Sequence, residues 1–381
     1  MPKSLILTFH YLDGNNGGSN ASKGFLWSYA SLNPETSLIY PEHDNFDSSA
    51  FIPDSVRKFP VYDHRSKIKK GIDIYRGKMH RFVNFVKEHL SREKYDVIFF
   101  DHSITSAGVI NNAKKNGAKI VSIHHNVEAD YIKDNQPSLL YRIPFNYFSK
   151  KAEQNALYMS DVNLTLTDET ATIFRSWFPN KNLHLHTIGI CEYKKNTSLF
   201  LRDEKNDHTF IISGSLDFEQ SAKPIIDFVR KYFPIMKQIC PDCKLIIAGR
   251  NPNNDIKNIC SKHEEITLIA NPPDMTEIVK QASIYIAPIF AGSGIKLRIM
   301  DGLKLGMPIL CHKVSAAGYK AFEKAGYLYT YENESSFEKA LNSITSKSFC
   351  ANDIYSLYKN EFSFTTGTNK LKQILAEEGL L

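Results

Sequence analysis

Residues 284–312 carry the clearest pattern in the chain, in which short apolar runs alternate with polar turns. The run Ile284–Ala287 predicts a buried parallel strand, and Ile309–Cys311 predicts a second one. Between them lies the glycine-rich turn Gly292–Gly294, followed by apolar residues at helical spacing from Ile295 onward. A loop of this kind places unpaired backbone N–H groups and a helix N-terminus at the carboxyl edge of a sheet. The pattern therefore predicts a phosphate-binding loop.

Two charged residues stand close behind this turn. Lys296 is predicted in the first helical turn, next to any bound anion, and Asp301 follows five residues later with a carboxylate suited to a ribose diol. A purely structural corner is the alternative, because every α/β protein has strand–glycine–helix turns. The two charges at these offsets favour the binding interpretation.

The chain begins with a second turn of the same type. Ser4–His10 predicts the first strand of a parallel sheet, and Gly24–Leu32 predicts a helix. The turn between them contains Gly17 and Gly18 but lacks the dinucleotide pattern GxGxxG. We expect these glycines to let the backbone approach a phosphate or a sugar; a flexible turn is the alternative.

Two later strands of this half end in histidine. Val97–Phe100 leads into His102, and Ile120–Ile123 leads into His124–Glu128, four of whose five residues are polar. Parallel strands end at the same edge of a sheet, where ligands bind, so we favour a functional role for these side chains over a structural one. The candidates at this edge are His102, His124, His125, Asn126 and Glu128.

Strands and helical patterns alternate along the whole chain, which predicts an α/β protein. The charged, aperiodic stretch between Ile190 and His208 predicts a domain linker, and a second α/β series starts at Thr209. We expect a first domain over residues 1–190, a second over residues 205–363, and a closing helix over residues 364–381. The 381 residues, 42% of them hydrophobic, suffice for two cores.

The net charge of +6 is modest, but residues 57–94 alone carry +8, from twelve Lys or Arg and four Asp or Glu. We expect this segment to be a basic amphipathic helix that contacts an anionic membrane surface or acceptor; a solvated helix face is the alternative. No stacking module accompanies the charge, so we expect no nucleic-acid binding. Six scattered cysteines suit a cytoplasmic protein, with the inner face of the cell membrane as the place of any peripheral contact.

The second half resembles the donor domain of GT-B-fold retaining glycosyltransferases, the large bacterial polysaccharide-biosynthesis group called glycosyl transferases group 1 or family four. Phe210–Asp217 is similar to the opening strand and loop of that domain, and Pro241–Arg250 is similar to its next segment. In the first half, His125–Asn126 with Glu128 resembles the HN motif of the family. The closing signature of the family is matched by Pro288, Gly292, Gly294, Lys296, Arg298, Asp301, Gly306 and Pro308.

The resemblance implies two Rossmann-like domains that face each other across a cleft, with the C-terminal helix crossing back to the first domain. It also implies roles for individual residues: Asp301 would hold the ribose, Arg250 would lie beside the nucleotide, and His125 would lie near the transferred sugar. The diphosphate would be held by Lys296, assisted by Arg298. The other donor-side positions that it implies are Gly17, Gly18, Gly214, Ser215, Ser293, Gly294 and Ile295.

This sequence departs from the family pattern at three places. Asp301 stands where the family usually has Glu, and Ser293 stands where it has another acidic residue. The Arg and Lys that many members carry after the strand at Gly214 are absent. We therefore expect phosphate neutralisation to depend mainly on Lys296.

The expected activity is transfer of a sugar, of hexosyl type, from a nucleotide diphosphate sugar to a polysaccharide or lipid-linked glycan. His125 and Lys296 are the expected catalytic residues, and the resemblance implies a retaining route. No Asp-x-Asp motif stands at a strand end, so we expect no metal and no cofactor besides the co-substrate. A nucleotide-sugar 2-epimerase of the same fold and a non-catalytic glycosyltransferase-like subunit are the alternatives.

Overall fold

The computed structural model describes the chain except for residues 15, 45–46, 67, 70–71, 73–82, 103–106, 136–138, 194–200, 202–207, 218 and 293. The chain divides into two compact units. The N-terminal unit comprises Met1–Lys195 together with Phe362–Leu381, and the C-terminal unit comprises Asn196–Glu361. The N-terminal unit is thus built from both ends of the sequence.

The N-terminal unit contains a seven-stranded parallel sheet in the order β3-β2-β1-β4-β5-β6-β7. Its central strands are continuous apolar runs, as expected for strands covered on both faces. The strands are β1 (Ser4–Thr8), β2 (Thr36–Glu42), β3 (Arg57–Tyr62), β4 (Val97–Asp101), β5 (Lys119–His124), β6 (Val162–Thr165) and β7 (Leu185–Thr187).

Helices cover both faces of this sheet. The first helix and the last one, which also contact each other, share one core that includes Phe25, Leu26 and Leu375. Three further helices form the opposite core with Val86, Ile110 and Ala156. The helices of the unit are α1 (Gly17–Leu32), α2 (Val83–Arg92), α3 (Ala107–Lys115), α4 (Glu128–Asn135), α5 (Leu139–Met159), α6 (Asp168–Trp177) and, at the end of the chain, α15 (Phe364–Glu377), with a 3₁₀ turn at Ser48–Phe51.

The C-terminal unit contains a six-stranded parallel sheet in the order β10-β9-β8-β11-β12-β13, with one large apolar core. Its strands are β8 (Thr209–Ser215), β9 (Lys244–Arg250), β10 (Ile266–Ala270), β11 (Ile284–Ala287), β12 (Ile309–His312) and β13 (Leu328–Tyr331). Its helices are α7 (Glu219–Lys231), α8 (Phe233–Ile239), α9 (Asn254–Cys260), α10 (Met275–Val279), α11 (Arg298–Lys304), α12 (Lys320–Lys324), α13 (Glu334–Thr345) and α14 (Ala351–Phe362), with a 3₁₀ turn at Lys313–Ala316.

The helical prediction for residues 57–94 is wrong at its start. Arg57–Tyr62 forms the edge strand β3, paired in parallel with β2. Lysine and arginine are well tolerated on an exposed edge strand, so the charges that suggested a helix face are equally compatible with a strand. Helix α2 spans Val83–Arg92, and Ile68, Lys69 and Ile72 are also helical, whereas most of the residues between 67 and 82 lie outside the described part of the chain.

The predicted start of the helix after the glycine turn is also wrong. Helix α11 begins at Arg298 rather than Ile295, and Lys296 belongs to the preceding loop. Gly292 and Gly294 both have positive φ, +88° and +76°, which keeps the chain out of the helical conformation there.

Across the described ranges, no helix is both long and apolar enough to cross a bilayer.

Candidate active site

Each sheet has one point at which the connections leave in opposite directions. This point lies between β1 and β4 in the N-terminal unit and between β8 and β11 in the C-terminal unit. The loops on the two sides diverge there and leave a crevice at the carboxyl edge, where open α/β sheets bind their ligands. The candidate residues after β1, β4 and β5, and those after β8, β9 and β11, lie at these two edges.

His125 is held by a buried carboxylate at the first edge. Its Nε2 lies 2.7 Å from Oδ1 of Asp101, and Thr8 Oγ1 donates to Oδ2 of the same carboxylate at 2.7 Å. Burial raises the pKa of Asp101, but the charge and hydrogen bond of His125 outweigh it and leave this pKa below its usual range. Asp101 is therefore ionised, and His125 must donate from Nε2. Its buried Nδ1 has no hydrogen-bond partner among the described residues.

His10, at the end of β1, stacks on His125 with a centroid distance of 5.0 Å. It lies 5.2 Å from the His102 ring, so the three histidines form one cluster. Gly18 lies in the first turn of α1, which begins at Gly17 and not, as predicted, at Gly24. It makes room for the His10 ring, because a Cβ added there would lie 2.3 Å from His10 Cε1. Gly18 thus supports the histidine cluster, and we predicted neither this role nor the participation of His10. The same strand-end rule that selected His102 would have selected His10.

His102 and Glu128 complete this edge. His102 Nε2 lies 3.4 Å from the carboxylate of Glu128, the first residue of α4. Burial raises the pKa of Glu128 to about 7, although the charge of His125 and a hydrogen bond from Asn126 act in the opposite direction. His102 has a φ of +138°, a conformation that side-chain-bearing residues rarely adopt and that is enriched at functional sites.

His124 is not part of this cluster. Its side chain is fully buried on the other side of β5, where Nε2 lies 3.0 Å from Asn163 Oδ1 and the ring contacts Phe174. Burial lowers its pKa to about 4, so the imidazole is neutral near pH 7. Successive residues of a strand point to opposite faces, which explains why His124 and His125 have different surroundings.

In the C-terminal unit, Gly214 and Arg298 pack against each other at the carboxyl edge of the sheet. Gly214 has a φ of +149°, and a Cβ added there would lie 2.0 Å from the guanidinium carbon of Arg298. Arg298 donates to the carbonyl of Ser213 at 3.3 Å and to Ser221 Oγ at 2.9 Å. Arg298, the first residue of α11, therefore connects the end of β8 with the start of α7. The hydrogen bonds described for it stabilise the protein's own loops at this edge.

Lys296 folds back onto the glycine turn. Its Nζ donates to the carbonyls of Gly292 at 2.8 Å and Gly294 at 3.2 Å, and its own carbonyl accepts from Tyr319 at 2.9 Å. These contacts hold the ammonium over a loop that carries positive-φ glycines on both sides of Ser293. The neighbouring Ile295 is half-buried in the same loop, whereas Ser293 lies outside the described residues.

Asp301 and Arg250 are both exposed at this edge. Water reaches Asp301, yet the protein around it desolvates the carboxyl and raises its pKa to about 6, while Arg298 and Lys304 act to lower it. Arg250 ends β9, and Ser215 ends β8 with its hydroxyl donated to Asp217 at 2.6 Å. Within the described ranges, no group of three or more His, Cys, Asp or Glu side chains could hold a metal ion.

The sequence model of the family described as "Glycosyl transferases group 1" matches residues 207–347, which contain the whole edge just described. An uncharacterized 44.6 kDa protein in the cps region of Klebsiella pneumoniae is 23% identical over 252 residues. That match spans 61% of this chain and only 61% of the length of the Klebsiella protein.

Solved structures resemble the whole chain. The lipopolysaccharide outer core galactosyltransferase WaaB in its apo form has a TM-score of 0.67 at 12% identity, covering 98% of this chain and 99% of that one. Sucrose-phosphate synthase from Thermosynechococcus elongatus has a TM-score of 0.68 at 12% identity and covers 98% of both chains. The Anabaena protein HepE in complex with UDP and glucose has a TM-score of 0.61 at 11% identity, covering 99% of this chain and 100% of that one.

The protein therefore has the GT-B glycosyltransferase fold, as the resemblance in the sequence implied. Residues 207–347 of its C-terminal unit match the glycosyl transferases group 1 model, which confirms that part of the resemblance; the retaining, family-four part stays a prediction. At these levels of identity the structural likeness establishes the fold, and the roles of the individual residues stay predictions.

Proposed function

We propose that the protein transfers a sugar from a nucleoside diphosphate sugar to a hydroxyl of a polysaccharide or lipid-linked glycan. The observation that carries the proposal is the loop between β11 and α11, where Lys296 is fixed over the glycine turn and Asp301 is exposed three residues into the helix. Both residues lie within the stretch that matches the glycosyltransferase family. A UDP-sugar is the first donor to test, because HepE was solved with UDP and glucose.

On the donor side, Lys296 and the backbone N–H groups of residues 293–295 would stabilise the diphosphate as negative charge develops on it. Fixed donors of this kind cost no reorganisation during the reaction, which is why they contribute strongly to catalysis. Asp301 would bind the ribose hydroxyls, and Arg250 would lie near the nucleotide. Arg298 would act through the loop, because its resolved hydrogen bonds go to Ser213 and Ser221.

On the acceptor side, His125 would contact a sugar hydroxyl through Nδ1. Asp101 fixes the opposite nitrogen, so only Nδ1 can take part. His102, Asn126 and Glu128 would border the acceptor. The bond between the sugar carbon and the phosphate oxygen breaks, and a bond from the acceptor oxygen to the same carbon forms. The acceptor proton passes to the departing phosphate, which makes a retaining, metal-independent route possible without a dedicated base.

A panel of nucleotide sugars tested by thermal shift identifies the donor, because a ligand that binds only the folded state raises its stability. The selected donor is then incubated with the protein and glycan or lipid-linked acceptors, with and without EDTA, and the anomeric configuration of the product is read by NMR. The proposal predicts an acceptor-dependent product that retains configuration and is insensitive to EDTA.

Two outcomes of the same assay favour the alternatives. Conversion of the donor in the absence of any acceptor would indicate a nucleotide-sugar 2-epimerase. Absence of both stabilisation and turnover over the whole panel, in well-folded protein, would indicate a non-catalytic subunit. Either result overturns the transferase proposal.

A further inference from the structure

The first half of helix α5 presents an apolar surface to solvent. Leu139, Leu140, Ile143 and Tyr147 are exposed by 60%, 76%, 66% and 60%. A residue in an α-helix advances by 100° per position, so these four side chains lie within roughly a third of the helix circumference. Contiguous exposed apolar surface of this kind is uncommon on a soluble protein and marks an interaction site.

The exposed face continues into a positively charged end. Lys150 and Lys151 follow Tyr147 by one turn, fall on the same side of the helix, and are both exposed. The face we call the α5 apolar–basic face therefore comprises Leu139, Leu140, Ile143, Tyr147, Lys150 and Lys151.

The helix is anchored to the N-terminal unit at several points along its length. Ala156 and Leu157 are fully buried, and the buried Glu153 accepts the backbone N–H of Glu128 at 3.2 Å. In the exposed half, the side chain of Asn146, which borders the exposed face, donates to the carbonyl of Ala129 and anchors the helix to α4. The helix is thus fixed to the N-terminal unit while its apolar–basic face points outward.

We propose that the α5 apolar–basic face docks onto an anionic lipid surface. Leucine, isoleucine and tyrosine side chains insert at the boundary between headgroups and acyl chains, and adjacent lysines bind the anionic headgroups. A second copy of the chain is a poorer partner for this face. The only acidic residue within Leu139–Met159 is the buried Glu153, so the same face of another copy offers no carboxylate to Lys150 or Lys151.

The location of this face bears on the proposed reaction. Glu153 contacts Glu128 at the histidine edge, and Ile143 lies ten residues away along the helix, which is about 15 Å at 1.5 Å per residue. A lipid-linked acceptor would therefore meet the protein close to His102 and His125. This consequence rests on the proposed function, whereas the docking itself does not.

The full-length protein is sedimented with vesicles of phosphatidylglycerol and phosphatidylcholine, and with vesicles of phosphatidylcholine alone, without any nucleotide sugar. We expect binding to the anionic vesicles that weakens with salt, and little binding to the neutral ones. Ile143→Asp should lower the bound fraction about tenfold, because it places a charge where the helix enters the membrane. Lys150→Glu combined with Lys151→Glu should lower binding to anionic vesicles by a similar factor.

Tyr147 and Tyr158 provide a matched pair, since both are 60% exposed on the same helix but Tyr158 lies beyond the lysines. Tyr147→Ser should weaken binding, and Tyr158→Ser should leave it unchanged. Circular dichroism and thermal unfolding verify that every variant is folded. Failure of the unmodified protein to bind anionic vesicles, or equal binding by Ile143→Asp, overturns the proposal. Concentration-dependent dimerisation that Ile143→Asp abolishes, measured by light scattering, would assign the face to a second copy instead.

Discussion

Asp101 and His125 are joined by a buried hydrogen bond of 2.7 Å between the carboxylate and Nε2 of the imidazole. The two residues end neighbouring parallel strands, and Thr8, directly opposite Asp101 in β1, binds the second carboxylate oxygen. The Asp101 carboxylate is thus held by residues from neighbouring strands. It fixes the orientation of the His125 imidazole and keeps a proton on Nε2. This arrangement leaves the buried Nδ1 as the ring nitrogen of His125 that the carboxylate does not engage.

Asp101→Asn tests this arrangement. The amide can no longer stabilise Nε2–H of His125 as a carboxylate does, so the imidazole should adopt the wrong tautomer or a different orientation. We expect kcat to fall by the order of 10²-fold, with little change in donor KM, in a protein with an unchanged circular dichroism spectrum. An Asp101→Asn enzyme with full kcat would show that the pair is only structural.

His125 and His102, which lie at the same edge of the first sheet, should differ in importance. His125→Ala should lower kcat by the order of 10²-fold, because it removes the group that faces the substrate. His102→Ala should have a smaller effect, since His102 contacts Glu128 at 3.4 Å and supports the edge from one side. The buried His124→Ala serves as a control and should lower the melting temperature with kcat preserved. The assignment would be reversed by a larger loss of kcat in His102→Ala than in His125→Ala.

The position of the His10 ring should depend on the absence of a side chain at Gly18. Gly18→Ala places a methyl group 2.3 Å from His10 Cε1, so the ring has to move away from His125 and kcat should fall severalfold. The double variant Gly18→Ala with His10→Ala relieves the clash. The two substitutions should therefore be strongly non-additive in both kcat and melting temperature. Additive effects would mean that Gly18 acts independently of His10.

Glu128 should make the stability of the protein depend on pH. Its pKa is raised from 4.5 to about 7 in the folded state, so between these values the folded protein binds a proton that the unfolded chain has lost. The stability that Glu128 contributes is thus complete below about pH 4.5 and is lost as pH rises through 7. Thermal unfolding of Glu128→Gln should show less loss between pH 5 and pH 8 than the unmodified protein. Parallel pH profiles of the two proteins would contradict the raised pKa.

Much of the fold could be predicted because parallel sheets covered on both faces require continuous apolar strands. The runs at Leu5–Leu7, Val97–Phe100 and Ile284–Ala287 are strands in the structure, and the polar residues that follow them lie at the carboxyl edges. The edge strand β3 was missed because its first two residues, Arg57 and Lys58, are basic and were assigned to the positively charged segment that follows, although Phe59–Tyr62 is apolar.

The details of the site depend on contacts between residues far apart in sequence. The stacking of His10 on His125 joins residues that are 115 positions apart, and no local pattern reports it. The start of α11 was placed three residues early because its seven residues are positioned by tertiary contacts, among them the bond from Tyr319 to the Lys296 carbonyl. The strand-end rule does select histidines that lie together in the structure, and it would have selected His10 as well.

The central claim is that the nucleoside diphosphate binds at the loop between β11 and α11. It is tested most directly by donor-titrated kinetics on Lys296→Ala and Asp301→Ala, with Lys304→Ala as a control on the same helix and circular dichroism to verify folding. Lys296 should act where charge develops, so its loss should lower kcat as well as donor affinity, by about 2–4 kcal/mol. Asp301 should bind the ribose, which does not change during the reaction, so Asp301→Ala should mainly raise donor KM. Asp301→Glu should have little effect on kcat or donor KM.

Lys304→Ala should behave like the unmodified protein. The account predicts this separation, with kcat lost in Lys296→Ala and KM raised in Asp301→Ala. Equal, small effects of both substitutions in well-folded protein would place the nucleotide elsewhere and contradict it.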